Sequence, residues 1–327
     1  MSNIYCPSCG SQKIRKAGTH KSKQRYECTS CGHKTVNPKK FIVNDKNVPE
    51  FDFREWTKHL KEKQGLKSKH SGGQLSCNIT FKTDHDFIIY HPMADTHIGN
   101  IGVDYEALEN WTDNIIKIPN LYISFSGDMV DKYSNFKSMM PIHQMVLTPE
   151  EQDAFIDSWT NEINHKILFS GWGNHEEMEE KASGINNIRT VLNKKMVYFD
   201  GIGVCNIKLN DIDYKIVSTH KTPGSSVFNP THGLKRLGRE QIPDADIYIS
   251  GHIHNPCLEQ KPERGMWQVF ATLGSLKMKD TFARRYFNHY AYAPTITMVL
   301  NTKRKEVTPF RTLNEALFFT RQEEYIY

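Results

Sequence analysis

The chain has 327 residues, 24% of them charged, and a formal net charge of +5. No apolar run is long enough to span a membrane, and Met1–Ile14 lacks the apolar core of a secretory signal, so a cytoplasmic protein is expected. The charge is uneven: residues 1–70 carry 16 basic and 6 acidic side chains, while the rest of the chain is mildly acidic, which points to a polyanionic partner for the N-terminus.

Cys6-Pro7-Ser8-Cys9 and Cys28-Thr29-Ser30-Cys31 are two Cys-x-x-Cys knuckles with 18 residues between them. Two residues between thiolates let both reach one tetrahedral zinc ion, and Gly10 and Gly32 give each turn its backbone freedom. A disulfide pair is the alternative, but nothing marks the chain as secreted. So short a segment buries little core, so one structural zinc should supply most of its folding free energy. Between the knuckles lie Lys13, Arg15, Lys16, Lys21, Lys23 and Arg25, with Tyr26 before the third cysteine and Gly18 as the expected hairpin turn. CPSCGS, the basic stretch and QRYECTSCG together resemble the zinc ribbons that begin many bacterial transposase proteins. That resemblance implies nucleic-acid binding by these six basic residues, DNA before RNA, through phosphate neutralisation. A protein-docking ribbon with merely solubilising charges is the competing reading.

Residues 41–74 read as a basic linker with a short helix, Glu50–Gln64 after Pro49, carrying Phe53, Trp56 and Leu60 on one side. Gly72-Gly73 follow, and then Leu75, Cys77, Ile79 and Phe81 alternate with polar residues as in an edge strand. The expected domains are a ribbon at 1–40, this linker, and one large domain at 75–327. Cys77, Cys205 and Cys257 read as buried free thiols of a reducing compartment.

Within the large domain, five short apolar runs each end in residues of metal-ligand type. Phe87–Tyr90 precedes Asp95 and His97, Leu121–Phe125 precedes Asp128, and Lys166–Phe169 precedes Asn174 and His175. Tyr214–Val217 precedes His220, and Ile247–Ile249 precedes His252 and His254. Sites in α/β sheets form beyond the carboxyl ends of strands, so five such tips suggest one shared site. Helices fit between them. Asp104 caps one with Leu108, Trp111, Ile115 and Ile116 buried, ending before Pro119. Thr148-Pro149-Glu150-Glu151 is a capping box for another, with Phe155, Ile156, Trp159 and Ile163 as its stripe. Ile185, Ile188, Leu192 and Met196 mark a third. Strands alternating with helices give an α/β layered fold.

The order DxH, GDxxD, GNHE, H, GHxH resembles that of the calcineurin-like metallophosphoesterases, across roughly Phe81 to Leu300. The resemblance implies a two-sheet α/β sandwich flanked by helices, with two divalent ions at the strand ends. Asp95, His97 and His254 would bind one ion, Asn174, His220 and His252 the other, and Asp128 would bridge. Carboxylate, amide and imidazole ligands suit manganese first, with iron or zinc as alternatives. Two ions held about 3.5–4 Å apart lower the pKa of a bridging water and clamp a phosphoryl oxygen. His175 corresponds to the family's non-ligand histidine, which contacts phosphate or protonates the leaving oxygen, with Glu176 or Asp131 orienting it. His91, His143 and His165 read as surface or hydrogen-bonded residues, and His85 and Asp86 as turn residues. His232, near Lys235, Arg236 and Arg239, is the one histidine left between groove and surface.

A basic ribbon joined to such a body makes a DNA endo- or exonuclease the leading expectation. DTHIG is similar to the nuclease branch, although GNHE is spelled as in phosphatases. The alternatives are a phosphomonoesterase acting on nucleic-acid ends, nucleotides or proteins, or a nucleic-acid-binding protein with an inactive body. Only 73 residues follow His254, which leaves no room for the large cap of repair nucleases. An ATPase partner is therefore not expected, and the layout resembles a stand-alone, phage-encoded enzyme.

Overall fold

The computed structural model describes residues 4–38, 53–70, 74–132, 144–224, 228–263, 265–278, 293 and 296–326. Pro49, Glu50, Gly72, Gly73 and His143, named above, lie outside them. Contacts divide the chain into two compact units, Met1–Lys69 and His70–Tyr327. No described helix is long and apolar enough to cross a membrane.

In the first unit, strands β1 (Ile14–His20), β2 (Lys23–Cys28) and β3 (Lys34–Thr35) form an antiparallel sheet in that order. The hairpin turns at Lys21 and Ser22, both left-handed with φ 47° and 62°, and not at Gly18 as expected. Gly18 (φ 79°) instead occupies a register break between Lys16 and Thr19, a bulge that absorbs one extra residue of β1. Among the described residues of the ribbon only Cys6 and Cys28 are buried, so it has almost no apolar core. Helix α1 (Phe53–His70) continues through Gly65 past its expected end, with Phe53, Trp56 and Leu60 exposed.

The second unit is built on strands β4 (Gln74–Phe81), β5 (Phe87–Met93), β6 (Leu121–Ser126), β7 (Ile167–Gly171), β8 (Tyr198–Leu209) and β9 (Ile212–Thr219). They continue with β10 (Ile247–Ser250), β11 (Cys257–Glu263), β12 (Met266–Thr272), β13 (Thr297–Asn301) and β14 (Val307–Phe310). Hydrogen bonds link them in the order β11-β12-β10-β9-β8-β7-β6-β5-β13-β14, with β4 added on β8. Strand β8 joins two layers. Its start, Tyr198 and Phe199, pairs with β7, and its remainder, Gly203–Leu209, pairs with β9.

Side-chain alternation shows how the sheet doubles into a sandwich. Ile88 and Tyr90 of β5 share one core with Tyr214 and Ile216 of β9, Ile247 and Ile249 of β10, and Val269 and Ala271 of β12. Ile89, between the first two, faces the other way and packs among helices. Those helices include α2 (Tyr105–Lys117), with Leu108, Trp111 and Ile115, and α3 (Pro149–Ile163), with Ile156, Trp159 and Ile163. On the opposite outer face, Leu234 and Leu237 of α6 (His232–Glu240) cover Val217, Tyr248 and Phe270. The result is an α/β/β/α sandwich, in which each fully buried large apolar side chain contributes about 1.5–3 kcal/mol.

Local signals account for most boundaries. Asp104 accepts from Ala107 N at the start of α2, and Thr148 with Glu151 forms a complete capping box on α3. Two expectations need correction. Ile116 is 36% exposed, just off the apolar stripe of α2. The helix expected to run from Ile185 to Met196 is only α5 (Asn187–Leu192). Ile185 is exposed after a separate helix, α4 (Asn174–Ser183), which ends at left-handed Gly184. His91 is buried, bonded to Thr297 Oγ1 at 2.8 Å and accepting from Trp111 Nε1 at 2.9 Å, while His165 is exposed.

Candidate metal centre

The four ribbon cysteines gather with their sulfurs within 4.8 Å of one another. Cys6 and Cys31 sulfurs lie 3.6 Å apart, as do those of Cys9 and Cys28. Gly10 N donates to Cys6 O at 2.9 Å and Gly32 N to Cys28 O at 2.8 Å, closing two equivalent turns. Burial opposes a charge on Cys28, yet the backbone N–H groups of Cys31 and Ser30 draw its thiol down to about 6, toward the thiolate that zinc binds. Of the six basic residues singled out between the knuckles, Lys13, Lys16, Lys21 and Lys23 are exposed. Arg15 is paired with Glu27 at 2.7 Å, and Arg25 Nε donates to Ala17 O at 3.1 Å.

In the second unit β5, β6 and β7 run parallel side by side, as do β9 and β10 in the other layer. The seven donors named from the sequence follow the carboxyl ends of these five strands. Five of them, Asp95, His97, Asp128, His252 and His254, are left-handed, with φ between 47° and 73°. Such backbone costs about 1–3 kcal/mol per residue and survives only where its surroundings enforce it. Here the loops brace one another. Asp95 N donates to Gly127 O at 3.0 Å, His97 N to Asp128 O at 3.1 Å, and His252 N to Asp95 Oδ2 at 2.8 Å. Glycine is required at two approaches. A Cβ on Gly173 would fall 2.2 Å from Asp128 N, and one on Gly251 would fall 2.4 Å from Asp95 Oδ2.

The donors form overlapping groups. Asp95, His97 and His254 bring ligand atoms within 4.8 Å of one another, and so do Asp128, His220 and His252. Asn174 joins the second group, its Oδ1 lying 3.0 Å from His220 Nε2. Asp128 also falls within 4.8 Å of His97 and His175, so it stands between the two groups. Hydrogen bonds fix the ring tautomers. His220 Nδ1 donates to Ser126 O at 2.8 Å, so in the neutral ring Nε2 carries a bare lone pair. That lone pair faces Asn174 Oδ1 at 3.0 Å and Asp128 Oδ2 at 3.1 Å, both acceptors. His97 is similar: Nδ1 meets Asp131 Oδ1 at 2.9 Å, and Nε2 meets His254 Nε2 at 3.0 Å.

Converging acceptors with no proton between them require a cation. Burial alone would lower His220, but Asp128 and Asp95 raise it to about 10, so without a metal the ring itself becomes the cation. The donor chemistry therefore fits divalent metal ions.

His175 lies on the first turn of α4, its backbone N donating to Asp128 Oδ1 at 2.9 Å. Its Nδ1 is buried without a hydrogen-bond partner among the described residues and lies 3.6 Å from Asp131 Oδ1. Of the two acceptors expected to orient it, Glu176 does something else: it accepts from Asp128 N at 3.0 Å and Met129 N at 2.8 Å, and so holds the loop that carries Asp128. Burial and the nearby Asp128 push Glu176 up to about 7.

Three residues escaped the sequence reading. Asn100 Nδ2 donates to Asp131 Oδ2 at 2.5 Å, and Lys277 Nζ lies 3.2 Å from Asp131 Oδ1, fully buried. Lys132, also buried, pairs with Asp153 of α3 and Glu179 of α4. A lone lysine reads as surface whatever its neighbours, so only Asp131, inside GDMVD, carried a signal. His232 is exposed and lines a cleft with Lys235, Arg236 and Arg239, with none of the seven strand-end donors among its walls.

No curated protein matches the chain. Among solved structures, a predicted phosphoesterase from Streptococcus pneumoniae TIGR4 is similar at 16% identity and TM-score 0.34, covering 69% of this chain and 90% of its own. A metallophosphoesterase from Sphaerobacter thermophilus is similar at 12% identity and TM-score 0.32, covering 72% of this chain and 94% of its own. The Pseudomonas putida nuclease MPE is similar at 11% identity and TM-score 0.31, covering 68% of this chain and 87% of its own. The profile of the calcineurin-like phosphoesterases matches residues 93–256, half of the chain, from the end of β5 to just beyond His254. With every motif of that stretch at a strand end around one buried cluster, the chain belongs to the calcineurin-like phosphoesterase family.

Proposed function

We propose that this protein is a metal-dependent nucleic-acid phosphoesterase, in the first place a DNA endo- or exonuclease. The observation that carries the hydrolytic reading is the pair of donor groups around the single carboxylate of Asp128. In this reading Asp95, His97 and His254 hold one divalent ion, Asn174, His220 and His252 hold another, and Asp128 serves both, with manganese the first choice. Bound there, the ions supply Lewis acidity and a strong nucleophile at neutral pH. The chain's own groups do the rest. Ser126 O and Asp131 accept hydrogen bonds from Nδ1–H of His220 and His97, which leaves each Nε2 facing the donor cluster. The first turn of α4 sets His175 beside Asp128. With Nδ1 turned to Asp131, His175 Nε2 is the atom that holds the proton for the leaving oxygen.

The ribbon supports the choice of nucleic acid. The four exposed lysines between its knuckles, Lys13, Lys16, Lys21 and Lys23, sit on a scaffold that resembles transposase-type zinc ribbons, and only Glu27 opposes the charge of residues 1–40. The test is a panel of labelled DNA, RNA and phosphomonoester substrates with Mn²⁺ and with Mg²⁺, run beside Asp128→Asn. We expect cleavage of nucleic acid by wild type and a loss in Asp128→Asn exceeding the ~10–100-fold that an outer partner of a metal ligand costs. Removing residues 1–40 should leave hydrolysis of a small phosphodiester near wild type. It should also weaken DNA binding and flatten its salt dependence by about 0.9 of log–log slope per lost phosphate contact. Turnover of phosphomonoesters alone, or unchanged DNA binding after truncation, would refute the nucleic-acid reading.

A further inference from the structure

We propose that Lys277 is a positioning residue of the hydrolytic site, its buried ammonium fixing the Asp131 carboxylate between His97 and His175. The inference rests on the hydrolytic reading above and adds a residue outside the five motifs. Lys277 is 1% exposed, and its Nζ lies 3.2 Å from Asp131 Oδ1 and 3.5 Å from Oδ2. The same Oδ1 meets His97 Nδ1 at 2.9 Å and lies 3.6 Å from His175 Nδ1. Oδ2 accepts from Asn100 at 2.5 Å. One carboxylate thus faces a ring of the donor cluster and the ring proposed as proton donor. A carboxylate with two free oxygens can rotate. Gripped at Oδ2 by Asn100 and at both oxygens by Lys277, it keeps Oδ1 toward the two histidines.

A purely structural role accounts for less. The segment carrying Lys277 is already tied down by other groups. Ser275 Oγ donates to Asp95 O at 2.7 Å, Met278 N to Gly102 O at 2.9 Å, and Asp104 N to Leu276 O at 3.0 Å. None of these needs the ammonium. If packing were the whole purpose, an apolar side chain would fill the space without the cost of desolvating a charge. The ammonium is explained by what it faces, the Asp131 carboxylate.

The test compares wild type, Lys277→Met, Lys277→Gln, Asp131→Asn and the Lys277→Met/Asp131→Asn double variant as full-length holoproteins. Three quantities are read: kcat and KM, Mn²⁺ affinity by calorimetry, and thermal unfolding. Lys277→Met should lower kcat by about 10–100-fold and weaken Mn²⁺ binding, as loss of an outer partner does. KM should stay near wild type and the variant should stay folded. The double variant should be no worse than Asp131→Asn alone, because the lysine acts through that carboxylate. Unchanged kcat and Mn²⁺ affinity in folded Lys277→Met would overturn the inference. So would additive losses in the double variant, or failure of both Lys277 variants to fold. A wild type that hydrolyses nothing would count against the hydrolytic reading, while the calorimetric arm would still decide on Lys277.

Discussion

The ribbon and the sandwich both gather metal-type donors, but they arrive at them in opposite ways. In the ribbon all four cysteines fall within residues 6–31, on two turns beside a small sheet with almost no buried residues. In the sandwich the seven donors span residues 95–254 and come from five strands. There the core consists of apolar clusters in which none of the seven takes part. The difference teaches what each metal is for. On the reading proposed above, the ribbon would need its ion in order to fold, whereas the sandwich, which bears the strain of five left-handed donor residues, would fold without one and hold its ions for chemistry.

The widest break in that comparison comes from removing one ribbon ligand. Cys28→Ser should forfeit most of the zinc affinity, which for such sites amounts to about 10–16 kcal/mol and is folding free energy. We expect amide signals of residues 4–38 to collapse to unfolded shifts and one zinc to be lost by elemental analysis. The sandwich should unfold at its wild-type temperature. A ribbon that keeps its dispersed spectrum without zinc would erase the contrast.

A smaller effect is expected inside the sandwich. Gly173→Ala places a methyl 2.2 Å from Asp128 N, where backbone has to give way. Overpacking of this kind costs about 1–3 kcal/mol, and here it also displaces Asp128. The prediction is a lower unfolding temperature of the sandwich and loss of phosphoester hydrolysis, with ribbon zinc unchanged. An active Gly173→Ala protein of wild-type stability would show that the close approach does not matter.

The smallest effect concerns pH. Glu176 is raised from 4.5 to about 7 by burial and by Asp128. A carboxyl raised on folding stabilises the fold while protonated, so its contribution is full below the unfolded value and is lost as pH rises through the folded one. The metal-free sandwich should therefore lose up to a few kcal/mol between about pH 4.5 and about pH 7. Glu176→Gln should flatten that fall, as measured by urea unfolding at each pH. Identical pH profiles for the two proteins would remove Glu176 from the account.

The contrast also explains how much was readable in advance. Local signals gave local structure: the knuckles, the capping box at Thr148 and the cap at Asp104 are each a matter of a few adjacent residues. The five strand tips were readable because ligand types end apolar runs, and those donors lie together. What escaped was set by tertiary contact. Nothing in the run Leu276-Lys277-Met278 says that its lysine will be buried against Asp131. Gly18 misled because a bulge and a turn make the same demand on a glycine, and only the pairing of Lys16 with Tyr26 and of Thr19 with Gln24 tells them apart. Glu176 sits beside His175 in sequence but turns to the Asp128 loop, because α4 begins at Asn174 and carries successive side chains to different faces.

The central claim is that Asp128 stands between two catalytic ions. Anomalous diffraction at the manganese edge, from crystals of the full chain grown with Mn²⁺, tests it directly. Two peaks should appear about 3.5–4 Å apart, one on either side of the Asp128 carboxylate. The first should be bounded by Asp95, His97 and His254, the second by Asn174, His220 and His252. A single peak, or peaks away from Asp128, would contradict it.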